Sequence, residues 1–239
     1  MTWPAVPWSQ VPIMSSPALR QADEQASSRF GIGPIQLMEV AGWQIARVVD
    51  AFMGGVRGKR IIVVAGSGNN GGDALVAARF LNQRGALVRA SVVPARDPNS
   101  LAARHARTLQ SLGIPTLEAP RGIDLSADVI VDGLFGIGIH LPLRDPAPRI
   151  IEAMNASRVS VVAVDVPSGL DADTGAGRES AVRAAATITL VAPKPGLHDA
   201  TNAGRVVVAD IGMPVGVFST EREALARLYE IGDLVELTD

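Results

Sequence analysis

The fold is decided by three consecutive stretches of the sequence: RIIVVA at residues 60–65, GSGNNGGD at residues 66–73 and ALVAARFLNQ at residues 74–83. The first is an apolar run typical of a buried strand, the second is a glycine-rich turn, and the third has helical character. In such a unit, unpaired backbone N–H groups and the positive end of the helix dipole point at the same place. The sequence therefore predicts that residues 66–73 bind an anionic group such as a phosphate.

Apolar runs and helical segments alternate along the rest of the chain. This rhythm predicts an α/β fold with a mainly parallel sheet. The runs at residues 129–131, 161–164 and 206–208 are continuous rather than alternating, as expected of strands that are covered on both faces. Helices are predicted at residues 74–84, 100–112 and 148–156, and strands at residues 60–65, 86–93, 128–135, 159–166, 186–191 and 205–211.

The first residues differ in character from those that follow. Residues 1–16 contain Trp3, Trp8 and three prolines, which predicts either an extended arm that packs through its tryptophans or a partly ordered terminus. Helical spacing follows at residues 17–28 and 34–53. We therefore expect an N-terminal arm over residues 1–16 and a single domain over residues 17–239.

Composition limits the classes of partner. The 22 basic and 24 acidic side chains form no block of like charge, so an extended surface for nucleic acid is not expected. The absence of cysteine removes disulfides, thiol nucleophiles and thiolate metal sites. No apolar run reaches the roughly 20 residues of a membrane helix, and the N-terminal residues lack the pattern of a signal peptide. The expectation is a soluble, cytoplasmic protein that binds a small molecule.

Three predicted strands end in loops that carry polar side chains beside glycines, at residues 66–73, 132–138 and 165–171. In an open parallel sheet, ligands bind outside the carboxyl ends of the strands, so these loops are expected to face one crevice. The first loop satisfies the G-x-G-x-x-G pattern. The strand at residues 86–93, however, offers no acidic residue at its end to hold a ribose. This context does not favour a conventional NAD-dependent oxidoreductase.

Asp132 and Asp165 follow two of these strands. Each carboxylate could simply cap a turn. Two carboxylates at adjacent strand ends would also repel one another unless a cation or a shared proton lay between them. Asn70, Asp132 and Ser168 supply only hard oxygen donors, which suit an alkali or alkaline-earth ion, and we expect a weakly held potassium ion.

Lys194 lies between two prolines after another predicted strand. It could meet a phosphate, take part in proton transfer, or remain an exposed loop lysine. His105, His140 and His198 show no spacing typical of metal ligands, so we interpret them as surface or packing residues.

Taken together, six motifs resemble the YjeF N-terminal domain family, the NAD(P)H-hydrate epimerases. The resemblance covers nearly the whole chain from about residue 17, and no single motif would be specific. The motifs are LMEVAG at 37–42, GNNGGD at 68–73, VDGLFG at 131–136, VDVPSG at 164–169, APKPG at 192–196 and VADIG at 208–212.

The resemblance implies a Rossmann-like three-layer α/β/α sandwich and an isomerase activity. The expected enzyme interconverts the R and S epimers of hydrated NADH and NADPH (NADHX and NADPHX), and a separate ATP- or ADP-dependent dehydratase is its pathway partner. The alternative is a non-catalytic ligand-binding or scaffolding module of the same fold, which the family also includes. A homodimer is left open.

The resemblance also implies site residues. The implied potassium ligands are Asn70, Asp132 and Ser168, and the implied substrate contacts are Asn69, Asn70, Gly71, Gly72, Asp73, Gly136, Ile137, Gly138, Ile139, His140, Leu141, Pro142 and Asp165. The chain departs from the family pattern at Ala74, where glycine is usual, and at residues 139–145, which lack an arginine and a final glycine expected near the diphosphate. For catalysis, we expect Asp132 or Asp165 to act as the acid/base group with help from Lys194.

Overall fold

The computed structural model describes residues 3–119 and 125–239, which form one nine-stranded sheet and six α-helices. The strands are β1 (Ala5–Pro7), β2 (Arg60–Ala65), β3 (Leu87–Val92), β4 (Thr116–Glu118), β5 (Val129–Gly133), β6 (Val161–Val164), β7 (Ala186–Leu190), β8 (Arg205–Ala209) and β9 (Leu234–Thr238). The helices are α1 (Ser16–Phe30), α2 (Pro34–Phe52), α3 (Asn69–Gln83), α4 (Leu101–Ser111), α5 (Ala147–Ala156) and α6 (Arg222–Ile231).

The sheet has the strand order β1-β9-β8-β7-β6-β5-β2-β3-β4, and every neighbouring pair is parallel except β8 with β9. The predicted α/β fold with a mainly parallel sheet is therefore confirmed. The part from β4 to β7 is doubly wound, and the direction of winding reverses between β2 and β5. In such sheets the ligand crevice lies at this switch point, outside the carboxyl ends of the strands.

Side chains of the central strands pack on helices at both faces of the sheet. Ile61 and Val63 of β2 belong to the core cluster that includes α2 and α3, whereas Ile62 and Val64 pack with α5. This alternation follows from the two-residue side-chain period of a strand. It produces the three-layer α/β/α arrangement and explains why the runs of these strands are continuously apolar.

Helix α3 begins at Asn69, five residues earlier than the sequence predicts. Gly68 precedes it in an extended conformation, with φ −96° and ψ −169°. Asn69 to Asp73 are therefore the first turn of the helix rather than a loop in front of it. The prediction failed because glycine and asparagine have low helix propensity, which the position at a helix start overrides.

Four elements were not predicted: β1, β4, β9 and α6. Strand β1 places the predicted arm on the sheet, where it pairs in parallel with β9, and Trp8 packs edge-on against the ring of His198 with centroids 5.3 Å apart.

Among the helices of residues 3–119 and 125–239, none has both the length and the apolar character needed to cross a membrane.

Candidate active site

A cavity of about 490 Å³ opens at the switch point of the sheet. Its wall is formed by the residues that follow β2, β5, β6 and β7, and by side chains of α1 and α2. The strand ends predicted to converge therefore meet at one crevice. Among the predicted site residues, the cavity is lined by Asn69, Asn70, Asp73, Gly136, Ile137, Gly138, Asp165 and Lys194.

The start of α3 forms one side of the cavity, through residues 67–70 and Asp73. The predicted contacts Gly71 and Gly72 do not line it. A Cβ atom on Gly71 would lie 1.9 Å from the carbonyl oxygen of Gly66, and one on Gly72 would lie 2.6 Å from Met38. These two glycines allow the turn and α2 to pack closely against the helix, so they shape the cavity without facing it.

Asp165 and Lys194 form a buried ion pair at the end of the cavity. The Lys194 ammonium also donates to the Thr189 hydroxyl at 3.0 Å and to the Leu190 carbonyl at 2.9 Å, so each of its three N–H groups has a partner. The second carboxylate oxygen of Asp165 accepts a hydrogen bond from the Ile137 N–H at 3.3 Å. Lys194 is 1% exposed, which excludes the alternative that it is an exposed loop lysine.

Two residues of the cavity wall have a backbone conformation that side chains rarely adopt. Asp165 has φ +68° at the end of β6, and Val191 has φ +67° at the end of β7. A positive φ is most unfavourable for a β-branched residue such as valine, and such strain concentrates at functional sites. The backbone around the ion pair is thus held in a conformation that the surrounding packing must stabilise.

Asp132 does not reach the cavity, because it lies fully buried behind the loop that follows β5. Its carboxylate accepts hydrogen bonds from the Ser168 hydroxyl at 2.7 Å, the Ser168 N–H at 2.9 Å and the Leu134 N–H at 3.2 Å. Burial raises the pKa of Asp132 to about 6, although these hydrogen bonds lower it. The pair of Asp132 and Ser168 therefore joins the loops after β5 and β6.

Asn70 also lines the cavity, near Gly136 and Asp165. Both of its side-chain polar atoms are buried and have no hydrogen-bond partner. A Cβ atom on Gly136 would lie 3.1 Å from the Asn70 Oδ1 atom and 2.8 Å from the Asp165 Oδ2 atom, so the missing side chain keeps this space open. Buried polar groups without a partner are rare, and here they indicate a site for a bound group.

The remaining predicted contacts lie away from the cavity. Ile139, His140, Leu141 and Pro142 are not part of its wall, and His140 is exposed. His105 is buried in α4, where burial lowers its pKa. This is the packing role predicted for it.

Sequence reasoning missed the contribution of α1, which places Leu19, Arg20 and Asp23 on the wall. Arg20 donates to the Ile137 carbonyl at 2.7 Å, which ties the helix to the loop after β5. Asp23 lies one turn after Leu19, within the helical spacing predicted at residues 17–28, where Leu19, Ala22 and Ala26 share an apolar face. A carboxylate on the edge of that face was the available signal.

The fold and the cavity define a doubly wound α/β protein whose ligand site combines a helix start, a buried ion pair and an unpartnered amide. Residues 34–196 match the family described as YjeF-related protein N-terminus, and the chain belongs to this family.

The relatives of this chain include single enzymes and bifunctional ones. It is 35% identical to the NAD(P)H-hydrate epimerase of Ajellomyces capsulatus over 158 residues, which are 66% of each chain. It is 42% identical to the bifunctional NAD(P)H-hydrate repair enzyme of Pyrobaculum aerophilum over 164 residues, 64% of this chain and 32% of that one. The crystal structure of the yeast protein ynu0 matches with a TM-score of 0.76 and 29% identity, covering 83% of this chain and 88% of that one. The matched segment thus spans just under two thirds of the fungal relative's length and about a third of the bifunctional relative's.

Proposed function

We propose that this chain is an NAD(P)H-hydrate epimerase, which interconverts the R and S epimers of NADHX and NADPHX. The observation that carries the proposal is the buried pair of Asp165 and Lys194 at the end of a cavity that also contains the start of α3. The named epimerases among the relatives support the same activity.

The start of α3 suits the phosphates of a dinucleotide. Its first N–H groups have no partner within the helix, and the helix dipole favours negative charge there. Residues 67–70 provide these groups at the cavity wall. The nicotinamide end of the dinucleotide, which carries the reacting ring, then extends toward Asp165.

The reaction is proton chemistry. In the hydrate, the hydroxyl is bonded to a ring carbon next to the ring nitrogen. When that hydroxyl is protonated, the C–O bond breaks, water leaves with its electron pair, and the nitrogen lone pair forms a C=N⁺ bond. Water then adds to the opposite face and releases a proton. The sequence of steps needs an acid/base carboxyl and negative charge near the cation, and it consumes no redox equivalents.

Asp165 is the carboxyl group that we assign to the proton transfer. It lines the cavity, whereas Asp132 is buried behind it. Asp165 donates the proton from its protonated form, and the adjacent Lys194 ammonium then compensates the charge of the carboxylate that remains. In the reverse direction, the same carboxylate accepts the proton of the water that adds.

Asn70, Asp132 and Ser168 are the residues that would hold a potassium ion. They fit such an ion, because the Asn70 oxygen is buried without a partner and all three supply hard oxygen donors. Bound there, the ion would supply positive charge that compensates the buried Asp132 carboxylate. We expect potassium to raise the melting temperature of the parent and not that of Asp132→Ala. Equal stabilisation of both by potassium, or an equal effect of tetramethylammonium, would contradict the site.

A dehydratase that acts on the S epimer is the proposed pathway partner. The bifunctional repair enzymes among the relatives support this proposal, since this chain matches about a third of their length. The alternative of a non-catalytic binding module is not favoured, because the cavity keeps its buried ion pair and its unpartnered amide.

The decisive experiment follows the conversion of purified R-NADPHX to the S epimer by chromatography. We expect the parent to accelerate it and Asp165→Asn to lower the rate by at least about 100-fold, the usual effect of losing an acid/base group. Asp145→Asn is the matched control, because this side chain is 62% exposed and does not line the cavity. A parent rate equal to the uncatalysed background, with folding confirmed by circular dichroism, would overturn the proposal.

A further inference from the structure

The cavity wall carries an excess of negative charge. Within the described residues, its ionisable side chains are Arg20, Asp23, Asp73, Asp165 and Lys194. Lys194 is paired with Asp165, and Arg20 donates to a backbone carbonyl of the rim. The side chains of Asp23 and Asp73 form no hydrogen bond or ion pair in residues 3–119 and 125–239. The wall thus has three carboxyl groups against two cations, and neither Asp23 nor Asp73 has a direct ion-pair partner among the described residues.

Asp73 is the more buried of the two, at 8% exposure, in the first turn of α3. Loss of hydration raises its pKa well above the ordinary value, the carboxylates of Asp165 and Asp23 raise it further, and Lys194 lowers it. Its side chain lines the cavity beside the ion pair, where a bound ligand group could contact it.

Asp23 lines the same cavity from α1. It remains exposed to solvent in the open cavity. Its pKa is raised by partial loss of hydration and by the Asp165 carboxylate, and lowered by the Lys194 ammonium, so it lies within electrostatic reach of the ion pair. Helix α1 is fixed there by the bond from Arg20 and by the Ser16 N–H, which donates to the Asp173 carboxylate at 2.7 Å.

We infer that Asp23 is a further catalytic residue of this site, whose carboxylate stabilises the positive charge of the nicotinamide ring after water has left. The inference rests on the proposed function. When a proton moves from a carboxyl group to the leaving hydroxyl, the cavity loses no net charge, because one new carboxylate and one cationic ring appear together. Negative charge already fixed on the wall favours the cationic ring and leaves the neutral hydrate unaffected.

The test compares ligands whose rings differ in charge. NADP⁺ carries a cationic ring and NADPH a neutral one, and both can be titrated by calorimetry. We expect the parent to bind NADP⁺ more tightly than NADPH, and Asp23→Asn to reduce this preference by about threefold to fivefold, the size of an exposed charge interaction. Asp23→Glu should retain most of the preference. Glu24→Gln, which removes a neighbouring exposed carboxylate outside the cavity wall, should retain all of it.

Kinetics provide a second readout. Asp23→Asn should lower kcat by about fivefold and change KM by less than about twofold, since the lost interaction belongs to the cationic state. Equal weakening of NADP⁺ and NADPH, or no change in either, would overturn the inference and assign Asp23 a packing or surface role. A parent without epimerase activity whose preference for NADP⁺ still depends on Asp23 would refute the proposed function and leave the cation site in place.

Discussion

Lys194 shows how strongly one residue can determine the site. Its ammonium group is buried and has three acceptors, one of them the Asp165 carboxylate. Removing one partner of a buried ion pair leaves the other charge uncompensated, whereas removing both can be nearly neutral. The ion pair therefore contributes both to the stability of the fold and to the proposed proton transfer.

We predict that Lys194→Met lowers the free energy of unfolding by about 3–5 kcal/mol. Adding Asp165→Asn to that variant should restore most of the stability and none of the activity, because the carboxylate that moves the proton is then absent. Urea unfolding of the parent and the two variants measures the effect. If the double variant is no more stable than Lys194→Met, then packing of the lysine stem, and not its charge, is the important contribution.

Asp73 yields a prediction about pH. Because burial raises its pKa, the folded protein retains a proton that the unfolded chain releases above about pH 4. The folded state is therefore progressively disfavoured as the pH rises from there toward the pKa of the folded form.

Asp73→Asn should consequently melt at the same temperature as the parent near pH 4. At pH 8 it should melt about 2–4 °C higher, a shift that corresponds to roughly 1 kcal/mol in a chain of this size. Calorimetric scans at both pH values test this, with Asp145→Asn as the exposed control. If the difference in melting temperature between the parent and Asp73→Asn is the same at both pH values, ionisation of the buried Asp73 carboxyl group does not destabilise the fold.

For single residues, the sequence predicted which ones meet at the cavity, but not how deeply each one is buried. Asp165, Asn70 and Lys194 follow strand ends, so the parallel sheet brings them to one crevice. Asp132 is buried away from the cavity. There its carboxylate is hydrogen-bonded to Ser168, which follows the next strand. The same holds for Gly71, whose missing side chain makes room for the Gly66 carbonyl and not for a ligand. A pattern in the sequence does not contain these distances.

Among the elements, the contact of α2 with α3 sets the position of the helix start that faces the cavity. Gly42 of α2 lies against α3, and a Cβ atom there would lie 2.3 Å from the Val76 side chain and 2.9 Å from the Ala77 nitrogen. The two helices approach closely because this side chain is missing.

Gly42→Ala should therefore lower the free energy of unfolding by about 1–3 kcal/mol, the usual cost of overpacking. Val76→Ala in the same chain should recover only part of the loss, because the backbone contact remains. Gly33→Ala is the control, since its nearest neighbour would be 3.7 Å away. Thermal melts of the four proteins give the comparison, and a fully stable Gly42→Ala would mean that the helices can separate at no cost.

The elements that the sequence predicted are those with long apolar patterns, such as β2, β5 and α2. The elements that it missed have short or weak patterns. Strand β1 has three residues, one of them proline, and β9 reads LVELT with a glutamate at its centre. Strand β1 lies at the edge of the sheet and β9 beside it. Short strands with a weak apolar pattern depend on their neighbours in the sheet, so local sequence carries little signal of them.

In the whole molecule, the N-terminal segment completes the sheet. Val6 is 5% exposed and packs in a cluster with Val235 and Leu237 of β9, whereas Ala5 points to solvent. Beyond β1, the Met14 N–H donates to the Pro193 carbonyl at 2.9 Å, next to Lys194. The arm therefore leads directly into the wall of the cavity.

We predict that Val6→Asn lowers the free energy of unfolding by about 2–4 kcal/mol, because an apolar side chain is lost and an amide is buried. Ala5→Asn places the same amide on the exposed side and should change stability by less than about 0.5 kcal/mol. Chemical denaturation measures the stability of both variants. Titration with NADP⁺ then shows whether loosening the arm weakens ligand binding at the cavity wall that α1 forms. Equal stability of the two variants would mean that β1 docks without its apolar contact.

The pairing of Ala5 with Glu236 also fixes an order of events during synthesis. As the ribosome adds residues one after another, β1 emerges before the other described strands, yet its partner β9 is the last of them to appear. The arm therefore remains unpaired until β2 to β8 have been synthesised. The groups that hold α1 and the segment before it, at Ile137, Asp173 and Pro193, are all synthesised before β9. A nascent chain halted before residue 234 would thus contain every residue of the cavity wall and lack the strand on which the arm docks.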